Sequence, residues 1–246
     1  MLSILVTGSS GRMGRAVIDA VQQEPDAVLG ATHDVGQSLD ELLPSCDAII
    51  DFSNHSFTSC MLDVAVAQGK AVVIGTTGHT AEEREAIVKA SKQIPIVFAA
   101  NFSIGVNTLF WLTRKAADIL NTGYDIEVIE MHHHNKIDAP SGTARRLAEI
   151  LCEETGMDYD KDVAHGRVGN IGARPAREIG MHSMRGGDVV GDHTVIFAGD
   201  GERVELTHKA SSRMTFAAGA VRAALWLQGK NAGLYDMEDV LGLKEL

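Results

Sequence analysis

The sequence predicts an α/β protein, with a Rossmann-like doubly wound parallel sheet and a second α+β domain whose sheet is mixed and partly antiparallel. Three observations predict it. Short β-branched runs alternate with amphipathic stretches over the first 121 residues. A glycine-rich turn joins the first run to the first amphipathic stretch. Beyond that region the pattern changes to strict apolar/polar alternation, the mark of half-buried antiparallel strands.

The elements follow in order. "SILVT" (3–7), "AVLGAT" (27–32), "AIIDFS" (48–53), "AVVIGTT" (71–77) and "PIVFAA" (95–100) are strand-length apolar runs, as parallel strands covered on both faces require. "RAVIDAVQQE", "SFTSCMLDVAVAQ" and "TAEEREAIVKASKQ" are the intervening helices. The last opens with Thr80, carries Glu83 three residues on as a capping box, and stops before Pro95. "VNTLFWLTRKAADIL" is a long helix leading into the alternating "DIEVIEMH". Alternation returns in "HTVIFAGDGERVELTHKA", where Asp-Gly tolerates positive φ and marks a hairpin. Residues 152–176, rich in Gly and charge, read as a long loop. "MTFAAGAVRAALWLQ" is helical with a broad apolar face, suited to cover the first sheet. This divides the chain into residues 1–103 together with 213–246, and residues 104–212.

Composition narrows the function. A hydrophobic fraction of 45% over 246 residues supports an ordinary globular core. No apolar run approaches the roughly 18 residues of a membrane span, and "MLSILVTGSSGRMG" lacks a basic leader, so a cytoplasmic protein with no membrane partner is expected. Cys46, Cys60 and Cys152 are odd in number with no C-x-x-C spacing, and read as reduced packing residues. A net charge of -11 argues against a nucleic-acid partner. If the ligands are anions, the charge that binds them is local.

"VTGSSGRMGRAV" places Gly8, Gly11 and Gly14 between the first strand and helix, where a dinucleotide pyrophosphate meets a helix amino terminus. The spacing is G-x-x-G-x-x-G, and a plain strand-to-helix turn would also use it. Asp34, just after the second strand, stands where an acid accepts from the adenosine ribose. A carboxylate there repels a 2′-phosphate, and the next residue is Val35 and not an arginine, so the reading leans to NADH. Arg12 and Arg15 leave room for NADPH.

The run "EMHHHNKIDAPSGTA" (130–144) is the second concentration of chemistry. If residues 125–134 form a strand, His132 and His134 face one way and His133 the other, so a metal would find at most two ligands here. With Lys136 adjacent and no H-E-x-x-H, no metal site is expected. Solvated histidines at a strand end are the bland alternative. Against it, Ser141 or Gly142 caps a helix beginning "GTARRLAEIL", and Gly142 and Thr143 then present N–H groups to an anion. Lys136, Arg145 and Arg146 against Asp138 give a local positive excess beside imidazoles able to move protons near neutral pH.

"GRMGR", "IDFS", "VIGTTG", "FAANFSIGVN", "EMHHHNKIDAPSGTA" and "RGGDVVGDHTVIFAGDGERVELTHKASSRMTFAAGAVRAALWL" together resemble the 4-hydroxy-tetrahydrodipicolinate reductases, formerly dihydrodipicolinate reductases, nearly end to end. The resemblance implies hydride transfer from NADH or NADPH to a cyclic imine dicarboxylate in the diaminopimelate route to lysine. It implies His132 as proton donor, Lys136 as a second catalytic cation, and His133, Gly142 and Thr143 as substrate contacts. It implies cofactor contacts at Gly8, Ser9, Ser10, Gly11, Arg12, Met13, Gly14, Asp34, Gly75, Thr76, Thr77, Ala99, Ala100, Asn101 and Phe102. Residues 1–103 with 213–246 would then bind the dinucleotide, and 104–212 would bind substrate and form a homotetramer. His134 and Asn135 occupy variable positions of the motif and receive no role. Two other readings remain distinguishable: a histidine metal hydrolase would carry zinc, and a non-catalytic NAD(P)-sensing regulator on the same fold would bind cofactor and turn over nothing.

Overall fold

The computed structural model describes residues 1–245. Two compact units emerge, one of residues 1–104 joined by the chain from Arg213 onward, the other of residues 105–212. In chain order the strands are β1 (Leu2–Thr7), β2 (Ala27–His33), β3 (Ala48–Asp51), β4 (Ala71–Ile74), β5 (Pro95–Phe98), β6 (Asp125–His132), β7 (Val163–His165), β8 (Ile179–Arg185), β9 (Gly191–Gly199), β10 (Glu202–Ala210) and β11 (Gly233–Tyr235). The helices are α1 (Arg12–Gln23), α2 (Leu39–Leu42), α3 (His55–Ala67), α4 (Ala81–Ser91), α5 (Ile104–Ile119), α6 (Gly142–Thr155), α7 (Tyr159–Asp162), α8 (Met214–Trp226) and α9 (Met237–Leu241).

The first unit holds a parallel sheet in the order β11-β5-β4-β3-β1-β2. Its strands are apolar throughout because successive side chains serve opposite cores. Ile4, Val6, Ile50, Val73 and Val97 pack under α1 and α8, while Leu5, Ile49, Val72, Ile74 and Ile96 pack under α3 and α4. The chain leaves β1 toward β2 and then returns to β3 on the other side, so the order reverses between β1 and β3. In an open α/β sheet the ligand crevice lies at that reversal, outside the carboxyl ends of the strands.

The second unit is a mixed sheet, β10-β9-β6-β8-β7, in which β6, β8 and β7 are parallel and β9 and β10 antiparallel. Ile126, Val128, Ile179, Met181, Val195 and Phe197 line one face and meet Leu147, Ala148 and Leu151 of α6 and Leu109 and Ala117 of α5. The hairpin between β9 and β10 turns through Asp200 and Gly201, the latter at φ 87°. Thr80 and Glu83 close the capping box of α4.

Several elements differ from the sequence expectation. Residues 152–176 are not one long loop: α6 continues to Thr155, and α7 and β7 follow. β7 is only three residues long with Val163 alone well buried, too short for a periodic signal. The glycine-rich stretch after it is held by arginines, Arg167 and Arg174, both on Glu127. The short α2, β8, β11 and α9 also escaped the sequence reading. The parallel strands end earlier than expected, so Phe52, Ser53, Thr76, Thr77, Ala99 and Ala100 stand beyond strand ends.

Helix α8 does cover the first sheet, packing on α1 and over β3 and β4. A Cβ on Gly219 would lie 1.8 Å from the Phe102 carbonyl oxygen, so the helix passes directly over that backbone. Helix propensity favours Ala over Gly by about 1 kcal/mol, whereas overpacking costs about 1–3 kcal/mol. Gly219→Ala should therefore lower the urea midpoint, and a rise would show that α8 lifts freely.

Candidate active site

The first unit supplies a crevice at the strand-order reversal. Gly8 follows β1 at φ 63°, and a Cβ there would meet the Phe52 carbonyl oxygen at 2.9 Å. A Cβ on Gly14 would fall 2.1 Å from the Gly8 carbonyl oxygen, so the turn closes onto the first turn of α1 only because both positions are glycine. Gly11 is the helix N-cap and offers no side-chain acceptor, leaving the N–H groups of the first turn at Arg12 and Met13 to an external anion.

Asp34 lies against this loop. Its carboxylate accepts from Ser9 Oγ at 2.5 Å, Ser10 N at 3.0 Å and Ser10 Oγ at 3.1 Å. The Ser9 hydrogen bond leads in holding the carboxyl below its ordinary pKa, so Asp34 is an anion at neutral pH. Val35 beside it is fully exposed.

A buried carboxylate absent from the sequence reading ties the strand ends together. Asp51, at the end of β3, accepts from Thr7 Oγ1 at 2.5 Å, Ser53 Oγ at 2.5 Å and Thr76 Oγ1 at 2.6 Å. Met13, Phe52, Ser53, His55, Gly75, Thr76 and Thr77 line a cleft of about 210 Å³ there. A Cβ on Gly75 would lie 2.2 Å from the Phe52 ring, so a side chain there would displace that ring. Ala99, Ala100 and Asn101 follow β5, and Ser103 N donates to Asn101 Oδ1 at 2.8 Å. Phe102 is 1% exposed and sits in the core against Phe52.

In the second unit the histidine run divides differently from the sequence expectation. β6 ends at His132, so His133 and His134 are not strand residues facing alternate sides; they lie in a turn. His133 N donates to Val189 O at 2.7 Å and His134 N to Gly187 O at 3.3 Å. Lys136 is largely buried and lies 2.8 Å from Asp138 Oδ1.

His132 is buried beside Glu130, its neighbour on the same face of β6. Glu130 Oε2 is 2.6 Å from His132 Nδ1, and both its oxygens take the Arg185 guanidinium, at 2.9 and 2.8 Å. Burial alone would raise this carboxyl; the hydrogen bonds from His132 and Arg185 outweigh it and hold the pKa at about 2. Glu130 Oε1 also accepts from Ser141 N at 3.2 Å. Ser141, and not Gly142, proves to be the N-cap of α6: its hydroxyl accepts from Ala144 N at 3.2 Å. The N–H groups of Gly142 and Thr143 thus open the helix, and beyond its chain neighbours and its own helix backbone no atom lies within 4 Å of where a Gly142 Cβ would stand.

The local positive excess expected over residues 132–146 is not gathered at the histidines. Arg145 pairs with Glu149, and Arg146 with Glu149 and Glu153, one or more turns along α6. The cation brought to the carboxylate beside His132 is Arg185 from β8, on Glu130. Glu130 was legible as the residue two before a strand histidine, hence on its face; Arg185 and His193 arrive from distant strands and left no local signal. Among the described residues no group of three or more His, Cys, Asp or Glu is disposed to hold a metal ion, and no helix is long and apolar enough to cross a membrane.

A dinucleotide crevice at the strand reversal, joined in one chain to an imidazole and lysine beside a helix start, is the equipment of a nicotinamide-dependent oxidoreductase. Family models described as the N-terminus and C-terminus of dihydrodipicolinate reductase match residues 2–102 and 105–241. The chain belongs to that family. It is 68% identical over 246 residues, all of both chains, to the 4-hydroxy-tetrahydrodipicolinate reductase of Akkermansia muciniphila. The fold is shared with a dipicolinate-bound dihydrodipicolinate reductase from Paenisporosarcina sp. TG-14, at TM-score 0.81 and 22% identity over 96% of this chain and 97% of that one. A probable dehydrogenase from Thermotoga maritima has the same fold at TM-score 0.65 and 12% identity, over 98% of this chain and 93% of that one.

His193 of β9 lies edge-on to His132 at 5.1 Å and within 3.0 Å of the Ser141 hydroxyl. Desolvation pushes its pKa down from 6.5 to about 3. Between those values the unfolded chain binds a proton that the folded chain refuses, so stability falls on acidification through that window. The slope approaches about 1.4 kcal/mol per pH unit for one proton. His193→Asn should flatten the fall in urea-measured stability between pH 6.5 and 4; an unchanged slope would assign the loss to other groups.

Proposed function

We propose that the protein is a 4-hydroxy-tetrahydrodipicolinate reductase, transferring hydride from NAD(P)H to a cyclic imine dicarboxylate to give tetrahydrodipicolinate in the diaminopimelate route to lysine. The observation that carries this reading is His132 fixed beside the capped start of α6, with Lys136 on the same turn. That combination suits a dianion that must also receive a proton.

The residues of the glycine loop fit a dinucleotide: the close approaches at Gly8 and Gly14 leave backbone N–H groups to a pyrophosphate. A bound nicotinamide supplies the hydride. Asp34 accepts from the ribose hydroxyls in exchange for Ser9 and Ser10, and its charge beside Val35 favours NADH while NADPH remains usable. Gly75, Thr76, Thr77, Ala99, Ala100 and Asn101 face the nicotinamide, with Phe102 as the packed support beneath them. In the second unit, Gly142, Thr143 and His133 hold the substrate carboxylates. Lys136 stabilises charge building toward the ring nitrogen, and His132 delivers the proton that completes reduction. Holding the dianion in one pose brings the acceptor carbon to a near-attack geometry.

The same reading includes a cytoplasmic homotetramer. The face of the second sheet opposite α5 and α6 carries half-buried Ile129, Met131 and Ile196, an apolar surface suited to a second copy.

The test is oxidation of NADH and NADPH with freshly generated hydroxy-tetrahydrodipicolinate. Both should be consumed, NADH with at least equal kcat/KM; a strong NADPH bias would overturn the role given to Asp34, and no oxidation would favour the cofactor-sensing regulator. His132→Gln should lower kcat by about 10²–10⁴-fold with little change in KM. Lys136→Ala should lower kcat and raise KM together, since its charge serves both ground and transition states; loss of affinity alone would make it a binding residue only.

A further inference from the structure

One buried charged group touches the proposed proton donor and has no part in the chemistry so far. We propose that Glu130 is a positioning residue: it holds Nδ1–H of His132, so that the imidazolium gives its Nε2 proton to the substrate and is left as the Nδ1–H imidazole. This rests on the reading of His132 as the proton donor.

A carboxylate that only closed an ion pair would be satisfied by Arg185. Glu130 is instead fully buried and shared. Arg185 grips both oxygens, Oε2 also reaches His132 Nδ1 at 2.6 Å, and Oε1 also accepts Ser141 N at 3.2 Å. An ionised carboxylate can only accept, so the proton between it and the ring belongs to Nδ1. Turning the ring over would put Cδ2 against the carboxylate and forfeit that bond. Its low pKa keeps the acceptor ionised across the working range.

The other ring nitrogen, Nε2, lies against Gly191 of β9. A Cβ on Gly191 would sit 2.9 Å from His132 Nε2, so the absence of a side chain on that β9 residue is what lets the ring take this orientation. His193 packs edge-on against the ring at 5.1 Å with an interplanar angle of 73°, restricting tilt. Arg185 is itself anchored, donating to the Asp138 carbonyl at 2.6 Å. The titratable and charged groups around Glu130 are thus His132 on its own strand, Arg185 from β8 and His193 from β9. Lys136 and Asp138 stand in the turn, and the remaining hydrogen-bonding neighbours are Ser183 and Ser141.

The bond to Ser141 N adds a second consequence. The carboxylate that orients His132 also holds the N-cap of α6, whose next two residues are the proposed carboxylate contacts. Proton donor and anion site are therefore referred to one atom group, which is the arrangement a near-attack pose needs.

The experiment is two-bond ¹H–¹⁵N correlation of histidine-labelled full-length protein at a pH where the ring is neutral, with His132 assigned from its loss in His132→Gln. The wild type should show the Nδ1–H tautomer. Glu130→Gln should shift the ring toward Nε2–H and lower kcat about 10–100-fold, as loss of an orienting carboxylate does, with KM within about threefold. A wild-type Nε2–H tautomer overturns the proposal, as does a variant that keeps kcat or one that loses kcat with the tautomer unchanged. If Glu130→Gln does not fold, the wild-type spectrum alone decides. The tautomer is read without turnover, so an inactive wild type would sink the proposed function, whereas an active wild type with Nε2–H would sink only the role of Glu130.

Discussion

The second unit is organised by one constraint: a carboxylate buried in the middle of a sheet face must be surrounded by donors. Glu130 has no contact with water, and an unpaired charge there would be prohibitively costly. Its donors come from three directions, along its own strand, from β8 and from the cap of α6. The parallel register that pairs Glu130 with Ser183 and His132 with Arg185 puts the guanidinium on the correct face. A slip of one residue would send it to the other face and leave the carboxylate unanswered. Register, helix start and imidazole orientation are thereby one requirement met once.

The first unit solves a similar problem with neutral donors. Asp51 is as deeply buried, but hydroxyls from Thr7, Ser53 and Thr76 surround it, and among the described residues no ion pair forms on it. Those residues belong to the carboxyl ends of β1, β3 and β4, the edge facing the ligand crevice. Hydroxyl donors on this carboxylate leave the backbone N–H groups of the glycine loop unengaged by Asp51. In the second unit an arginine can be spent on the carboxylate because Lys136 and the start of α6 are separate.

Much of this was legible in the sequence because it is written in local periodicity. Continuous apolar runs declared the parallel strands, Asp-Gly declared the β9 to β10 hairpin, and Thr80 with Glu83 declared the start of α4. The glycine loop and the histidine-lysine run marked the two regions of chemistry. What stayed hidden depends on pairing across sequence distance. β7, β8 and β11 carry too few periodic residues to stand out, and their existence follows from the neighbours they pair with. The apparent positive patch at residues 136–146 loses its arginines, which reach along their own helix to Glu149 and Glu153, while the cation on Glu130 comes from residue 185.

The return of the chain at Arg213 bears on the order of assembly. Until α8 exists, the apolar face formed by α1, β1 and β3 lacks Ala217, Ala220, Val221 and Ala224, and β5 remains an open strand edge until β11 reaches it. During synthesis the first unit is made first yet is completed last, after the whole of residues 105–212 has been produced. The intervening unit is bounded at both ends by chain that belongs to the first unit, so it is an insert within that unit's sequence. A ribosome halted before residue 213 would release a polypeptide with its second sheet able to form and its first sheet still exposing the surface that α8 was to cover.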